Sequence, residues 1–228
     1  MRYVRAGGLD VWSFERYEDA FPQPLKSLPE GCPYFKSIYL VGDRSALDAP
    51  LIAVVGSRSA SPEALERAGE LGRLVAGCGH LVTGLAPGVD TSAALGALRA
   101  GGRVVGVRPW LVPPDCEIFS EVVSKGCILS HNLRKLLDEQ KWVNSQFFLR
   151  NMLVALLSRV VVVVEARPGG GTMHMLEVAS KRWRPVYVLE PPASEGEAWE
   201  AFDEFVGAGA IPVNSPEALV RALNAGEL

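Results

Sequence analysis

Residues 160–174 read VVVVVEARPGGGTMH. Five valines in succession describe a strand buried on both faces, as in a parallel sheet with helices above and below. The run stops at Glu165. Pro168 follows, and Gly169, Gly170 and Gly171 lead through Thr172 into a helix predicted over 173–181. So much bare backbone at the end of an apolar strand fits a tight turn. It also fits a cradle for a phosphate, because glycine lets backbone N–H groups and a helix N-terminus approach an anion closely. The rest of the chain has to separate the two.

The same strand–glycine–helix grammar runs outward from this stretch. LIAVVG (51–56) is a second continuous apolar strand, and Ser61-Pro62 is a helix N-cap followed by a first-turn proline. Leu65, Ala68, Leu71, Leu74 and Val75 then recur at helical spacing until Gly77 and Gly79. Further strands are predicted at 80–83, 103–107, 126–130 and 185–190, with a short piece at 210–213. Helices are predicted at 90–100, around 120–123, and at 142–157, 197–206 and 216–223. Strands alternating with short helices predict a doubly wound, mainly parallel α/β sheet of extended Rossmann type, with helices on both faces. Residues 1–35 show no clear period and read as a partly irregular N-terminal arm, followed by a short strand at 39–43. The expected organisation is an N-terminal extension over 1–45 packed on one structural unit over 46–228.

In doubly wound sheets ligands bind at the carboxyl ends of the strands, where strand order reverses. Three such ends are glycine-rich here: Gly56-Ser57-Arg58, then Gly84 to Asp90 with Gly88 between, then Gly169 to Thr172. Each can present amides and a helix N-terminus to an anion. Arg58 adds a guanidinium fork suited to phosphate. Arg150 and Asn151 interrupt the apolar stretch FFLRNMLVALL, and Glu165 stands at the ligand end of a buried strand, either paired with Arg150 or Arg58 or acting as a general base. Asp90 reads as a helix N-cap or as a first-turn acid favoured by the helix dipole. Together these residues are expected to form a phosphate or nucleotide site. The chain has no G-x-x-x-x-G-K-[ST] for a P-loop hydrolase and no G-x-G-x-x-G after its first parallel strand for a dinucleotide enzyme.

Composition narrows the classes further. The 228 residues are 48% hydrophobic and 21% charged, with a net charge of −3, so the total gives no support to a basic nucleic-acid face. No apolar run approaches the roughly 20 residues that span a bilayer, and the N-terminus lacks a signal-peptide core, so a cytoplasmic protein is expected. Cys32, Cys78, Cys116 and Cys127 lie far apart and read as idle or buried thiols rather than as zinc ligands.

VVGSR (54–58), TGLAPGVD (83–90), FLRN (148–151), VVVVEA (161–166) and the GGT turn occur in an order that resembles the DNA processing protein A family (DprA, also called Smf). The likeness covers roughly residues 16–224. It implies an extended Rossmann fold with no known enzymatic activity and no cofactor. It also implies single-stranded DNA binding, homodimerisation and the loading of a RecA-type recombinase in natural transformation. The site residues carried over are Gly56, Ser57, Arg58, Gly84, Gly88, Asp90, Arg150, Asn151, Gly170, Gly171 and Thr172. The chain departs from the family pattern at Pro87, where an arginine is usual, at Leu95 in place of a histidine, and at His131 in place of a glutamate. A further departure is expected in the absence of the C-terminal winged-helix domain seen in many members and of a clear N-terminal SAM-like domain. RPGGGT further resembles the phosphate turn of cytokinin-activating phosphoribohydrolases. There a glutamate follows three residues after the threonine, whereas here that position is Met175, and Glu177 is expected on the opposite helix face. A small-nucleotide-binding module of the same fold remains the alternative to a DNA-binding protein.

Overall fold

A computed structural model describes residues 1–228 except 29, 31, 33, 115, 138, 182, 183, 193–195 and 225–228. The strands are β1 (Arg2–Ala6), β2 (Leu9–Glu15), β3 (Ser37–Gly42), β4 (Leu51–Val55), β5 (His80–Thr83), β6 (Val104–Val107), β7 (Cys127–Ser130), β8 (Val160–Val163), β9 (Val186–Leu189) and β10 (Ile211–Val213). The helices are α1 (Gln23–Lys26), α2 (Pro62–Val75), α3 (Val89–Arg99), α4 (Phe119–Lys125), α5 (Gln140–Leu157), α6 (Met173–Lys181), α7 (Glu197–Gly207) and α8 (Pro216–Asn224). All these strands join one sheet in the order β1-β2-β3-β7-β6-β5-β4-β8-β9-β10. Pairing is parallel from β7 to β10 and antiparallel from β1 to β7. This is the doubly wound α/β architecture that the alternation predicts.

The continuous valine and leucine runs follow from two cores, one on each face. Ala53, Val55, Val161 and Val163 pack against α5, α6 and α7, while Ile52, Val54, Val160 and Val162 pack against α2 and α3. Alternate residues therefore face opposite layers, and both layers are apolar. Ser61 caps α2 as its sequence position suggests, its hydroxyl accepting from the Ala64 amide at 3.2 Å.

Residues 2–15 of the N-terminal arm are regular, and α1 is the one further regular element among the described residues of 16–35. β1 and β2 form a hairpin with Ala6 opposite Leu9, turned by Gly7 and Gly8, both at positive φ. A two-residue turn of that kind matches the twist of the strands it joins. β2 then pairs with β3, and β3 with β7, so the arm extends the sheet on the side away from β10.

Candidate functional site

β4 leads through α2 to β5 on one side, while β8 leads through α6 to β9 on the other. The two strands are neighbours, with Ile52 opposite Val160 and Val55 opposite Val163. Their following loops diverge in opposite directions and leave a crevice between them, the expected ligand position in an open parallel sheet. A cleft of about 540 Å³ lies there. Gly56, Ser57, Arg58, Asp90, Arg150, Asn151, Gly170, Gly171 and Thr172 line it, together with Phe147, Arg167 and Met175.

Four of the expected residues do not line this cleft: Gly84, Gly88, Gly169 and Glu165. Gly84 is needed for a close approach, because a Cβ there would come within 1.2 Å of Arg150 Nη1. Gly88 lies at φ +83° against the carbonyl of Ser57. The Gly169 amide donates outward to Glu204 Oε2 at 3.1 Å. Glu165 pairs with neither arginine among its described contacts. Its carboxylate accepts from the Ser61 amide at 3.0 Å and the Ser61 hydroxyl at 2.8 Å, so it anchors the start of α2.

These bonds change how the cleft handles charge. The Ser57 amide is spent on the Glu165 carbonyl at 2.7 Å, and the Gly170 amide on the Arg167 carbonyl at 3.0 Å. Glu165 supplies a negative charge at the N-terminus of α2. Asp90 does so in the first turn of α3, its Oδ2 accepting from the Ala86 amide at 3.3 Å. The protein's own carboxylates thus neutralise two of the helix ends that the sequence offered to an external anion. Three arginine side chains line the cleft instead, Arg58, Arg150 and Arg167, of which Arg150 has its charge compensated by Asp90.

Arg150 is the central one. It is 3% exposed, Asp90 is 4% exposed, and Arg150 Nη1 lies 3.5 Å from Asp90 Oδ2. Burial pushes the guanidinium down to about 10, with Asp90 opposing that shift, so Arg150 is charged at neutral pH. Burial likewise raises the Asp90 carboxyl, against the pull of Arg150. The Arg150 Nε has no hydrogen-bond partner. The Arg150 side chain lines the floor of the open cleft, while its Nε is itself buried. Asn151 donates to the Gly171 carbonyl at 3.3 Å and ties α5 to the glycine turn.

Sequence reading missed two groups. Arg108, directly after β6, is buried and donates to the carbonyls of Gly84 at 3.3 Å and Leu85 at 3.2 Å. It pins a strained turn, for Leu85 sits at φ +53°, a conformation a bulky residue adopts at a cost. The available signal was a charge placed immediately after an apolar strand, on the ligand edge. The second group is aromatic. The Phe147 ring lies 5.3 Å from Arg58 Cζ and 5.7 Å from Arg150 Cζ, so both cations rest on one ring. Met175 lines the cleft where the phosphoribohydrolase pattern would place its glutamate, whereas Glu177 is exposed and outside the lining.

No helix among the described residues is long and apolar enough to cross a membrane. The family model for DNA recombination-mediator protein A matches residues 13–224. DNA processing protein DprA of Streptococcus pneumoniae is 27% identical over 192 residues, spanning 81% of this chain and 64% of that protein. The chain thus spans less than two thirds of that relative. DNA processing protein A from Helicobacter pylori, whose structure concerns its single-stranded DNA binding mode, superposes with a TM-score of 0.74 at 26% identity, covering 95% of this chain and 96% of that one. The molybdenum cofactor carrier protein of Chlamydomonas reinhardtii superposes with a TM-score of 0.53 at 26% identity, covering 77% of this chain and 96% of that one. Fold, ordered motifs and family model agree, and the chain belongs to the DNA recombination-mediator protein A family.

Proposed function

We propose that the cleft at the β4–β8 switch point binds single-stranded DNA. The observation that carries this reading is the exposed Arg58 held over the Phe147 ring, with the buried, incompletely bonded Arg150 beneath. A phosphate can meet the guanidinium groups and a base can meet the ring, the two kinds of interaction that hold single strands without sequence preference. The superposition on the Helicobacter pylori protein supports the same ligand. The overall charge of −3 does not decide against it, because Arg58, Arg150 and Arg167 give the cleft its own local positive charge. Within this reading the protein performs no reaction on the strand. It acts in the cytoplasm as a homodimer that passes the strand to a RecA-type recombinase, an assignment resting on the family resemblance alone.

The test is a fluorescence-anisotropy titration with a labelled oligo(dT) at two salt concentrations. Arg58→Ala is expected to weaken binding and to flatten the logarithmic salt slope by about 0.7 for each phosphate that the variant leaves unneutralised. No binding by the native chain at low salt, or an unchanged slope in the variant, overturns the proposal.

One observation favours a second reading. The cleft volume of about 540 Å³ suits a single nucleotide as well as a segment of strand. A nucleotide that binds only the folded state raises the melting temperature. Thermal shifts with nucleotides and none with oligo(dT) would favour this alternative.

A further inference from the structure

Beyond the cleft, aromatic side chains continue in a line that the switch-point site does not use. The Phe147 ring, on the cleft wall, meets the ring of Trp110 edge-on at 5.8 Å. Trp110 in turn stacks on Trp142, with centroids 6.2 Å apart and planes 15° from parallel. Lys135 Nζ stands 5.6 Å from the centre of the Trp110 ring. Trp110 is buried at 6% exposure, so it is the fixed middle of the series, while Trp142 remains partly exposed at the first turn of α5. Gln140, Val143 and Asn144, on the same turns as Trp142, line the cleft.

A partly exposed tryptophan backed by a second, buried tryptophan is a rigid platform, since its ring is held in orientation before any ligand arrives. Every nucleobase has a π-face, so such a ring accepts a base of any identity. The neighbouring cation supplies the charge that a strand's backbone needs alongside. From this geometry we infer that Trp142 is a second base-stacking subsite, outside the cleft, which takes the nucleobase of a single strand next to the one held at Phe147. The inference rests on the single-strand reading of the cleft and extends the strand's path across the first turns of α5.

The experiment uses the full chain and two labelled strands of equal length, one oligo(dT) and one carrying abasic sites. Anisotropy titrations compare the native protein with Trp142→Ala, Trp142→Leu and Trp142→Phe. The leucine variant keeps apolar bulk against Trp110, and the phenylalanine variant keeps a π-face. On oligo(dT), the alanine and leucine variants are expected to bind at least about five-fold more weakly, the lower end of what one stacked base contributes. Trp142→Phe should stay within about two-fold, and the salt slope should be unchanged because no charge is removed. On the abasic strand all four proteins should bind alike. The inference is overturned if Trp142→Leu binds oligo(dT) as the native chain does, or if it weakens as much on the abasic strand. Failure of the native protein to bind either strand overturns the cleft reading as well, whereas native binding with a silent Trp142→Leu removes only the second subsite.

Discussion

Replacing Arg150 by methionine removes one partner of a buried ion pair and leaves Asp90 at 4% exposure without its cation. At the observed 3.5 Å the pair's attraction is about 5 kcal/mol for an effective dielectric near 20. Breaking a buried pair from one side typically costs about 3–5 kcal/mol, because the remaining charge is uncompensated. In a chain of this length each kcal/mol moves the midpoint by roughly 2–4 °C, so Arg150→Met should melt on the order of 10 °C below the native protein. The destabilisation should depend on pH with a definite sign. Burial already raises the Asp90 carboxyl, and without Arg150 the shift grows. A carboxyl whose folded pKa lies above its unfolded value, about 3.9, destabilises the fold as pH rises through that interval. The penalty in Arg150→Met should therefore be smaller near pH 4–5 than at pH 8. Adding Asp90→Asn should recover most of it, since the amide carries no charge and retains an oxygen to accept from Ala86. Urea denaturation of the native chain, the single variant and the double variant at both pH values measures all three statements. A single variant within about 1 kcal/mol of native at pH 8, or a double variant no better than the single, refutes the account of Arg150 as a buried cation neutralised by Asp90.

Two further predictions concern other groups around the site. Glu165→Ala should cost about 1–2 kcal/mol in urea denaturation, by removing its two bonds to Ser61, without changing oligo(dT) affinity. Release of free base from nucleoside monophosphates by the native chain but not by Glu165→Gln would instead make this residue a catalytic acid or base. His131 is pushed below the ordinary histidine range by burial, with the Gln146 bond opposing. Folding stability should therefore fall as pH drops below about 6.5, and His131→Gln should remove part of that dependence in thermal melts at pH 5 and 7.5.

The sheet and its helices were readable because the valine runs, glycine stops and Ser-Pro caps are local signals that the tertiary structure respects. The hairpin of β1 and β2 was equally local, with Gly7-Gly8 between alternating residues, yet the aromatic and proline content around it obscured the period. The convergence of Gly56, Arg58, Arg150 and Gly170 on one cleft follows from the strand order, which sequence pattern could suggest. What the pattern could not show is which amides and carboxylates satisfy one another. Glu165 meets Ser61 and Asp90 meets Arg150 only because folding brings distant segments together. Arg108 and the Trp110–Trp142 stack lay hidden for the same reason.

The bond between Glu165 and Ser61 joins residues 104 positions apart, and β4 finds its neighbour β8 across the same stretch of chain. Closing so long a loop is an entropic cost that only the interactions made afterwards repay. During synthesis, β5, β6 and β7 can pair with what has already emerged, and the cleft's Gly56–Arg58 and α5 sides are made before its last side, Arg167 to Thr172, leaves the ribosome. The cleft is therefore completed late in folding, and a nascent chain that stops short of β8 can hold much of a sheet and most of the cleft's lining while lacking the glycine turn that closes it.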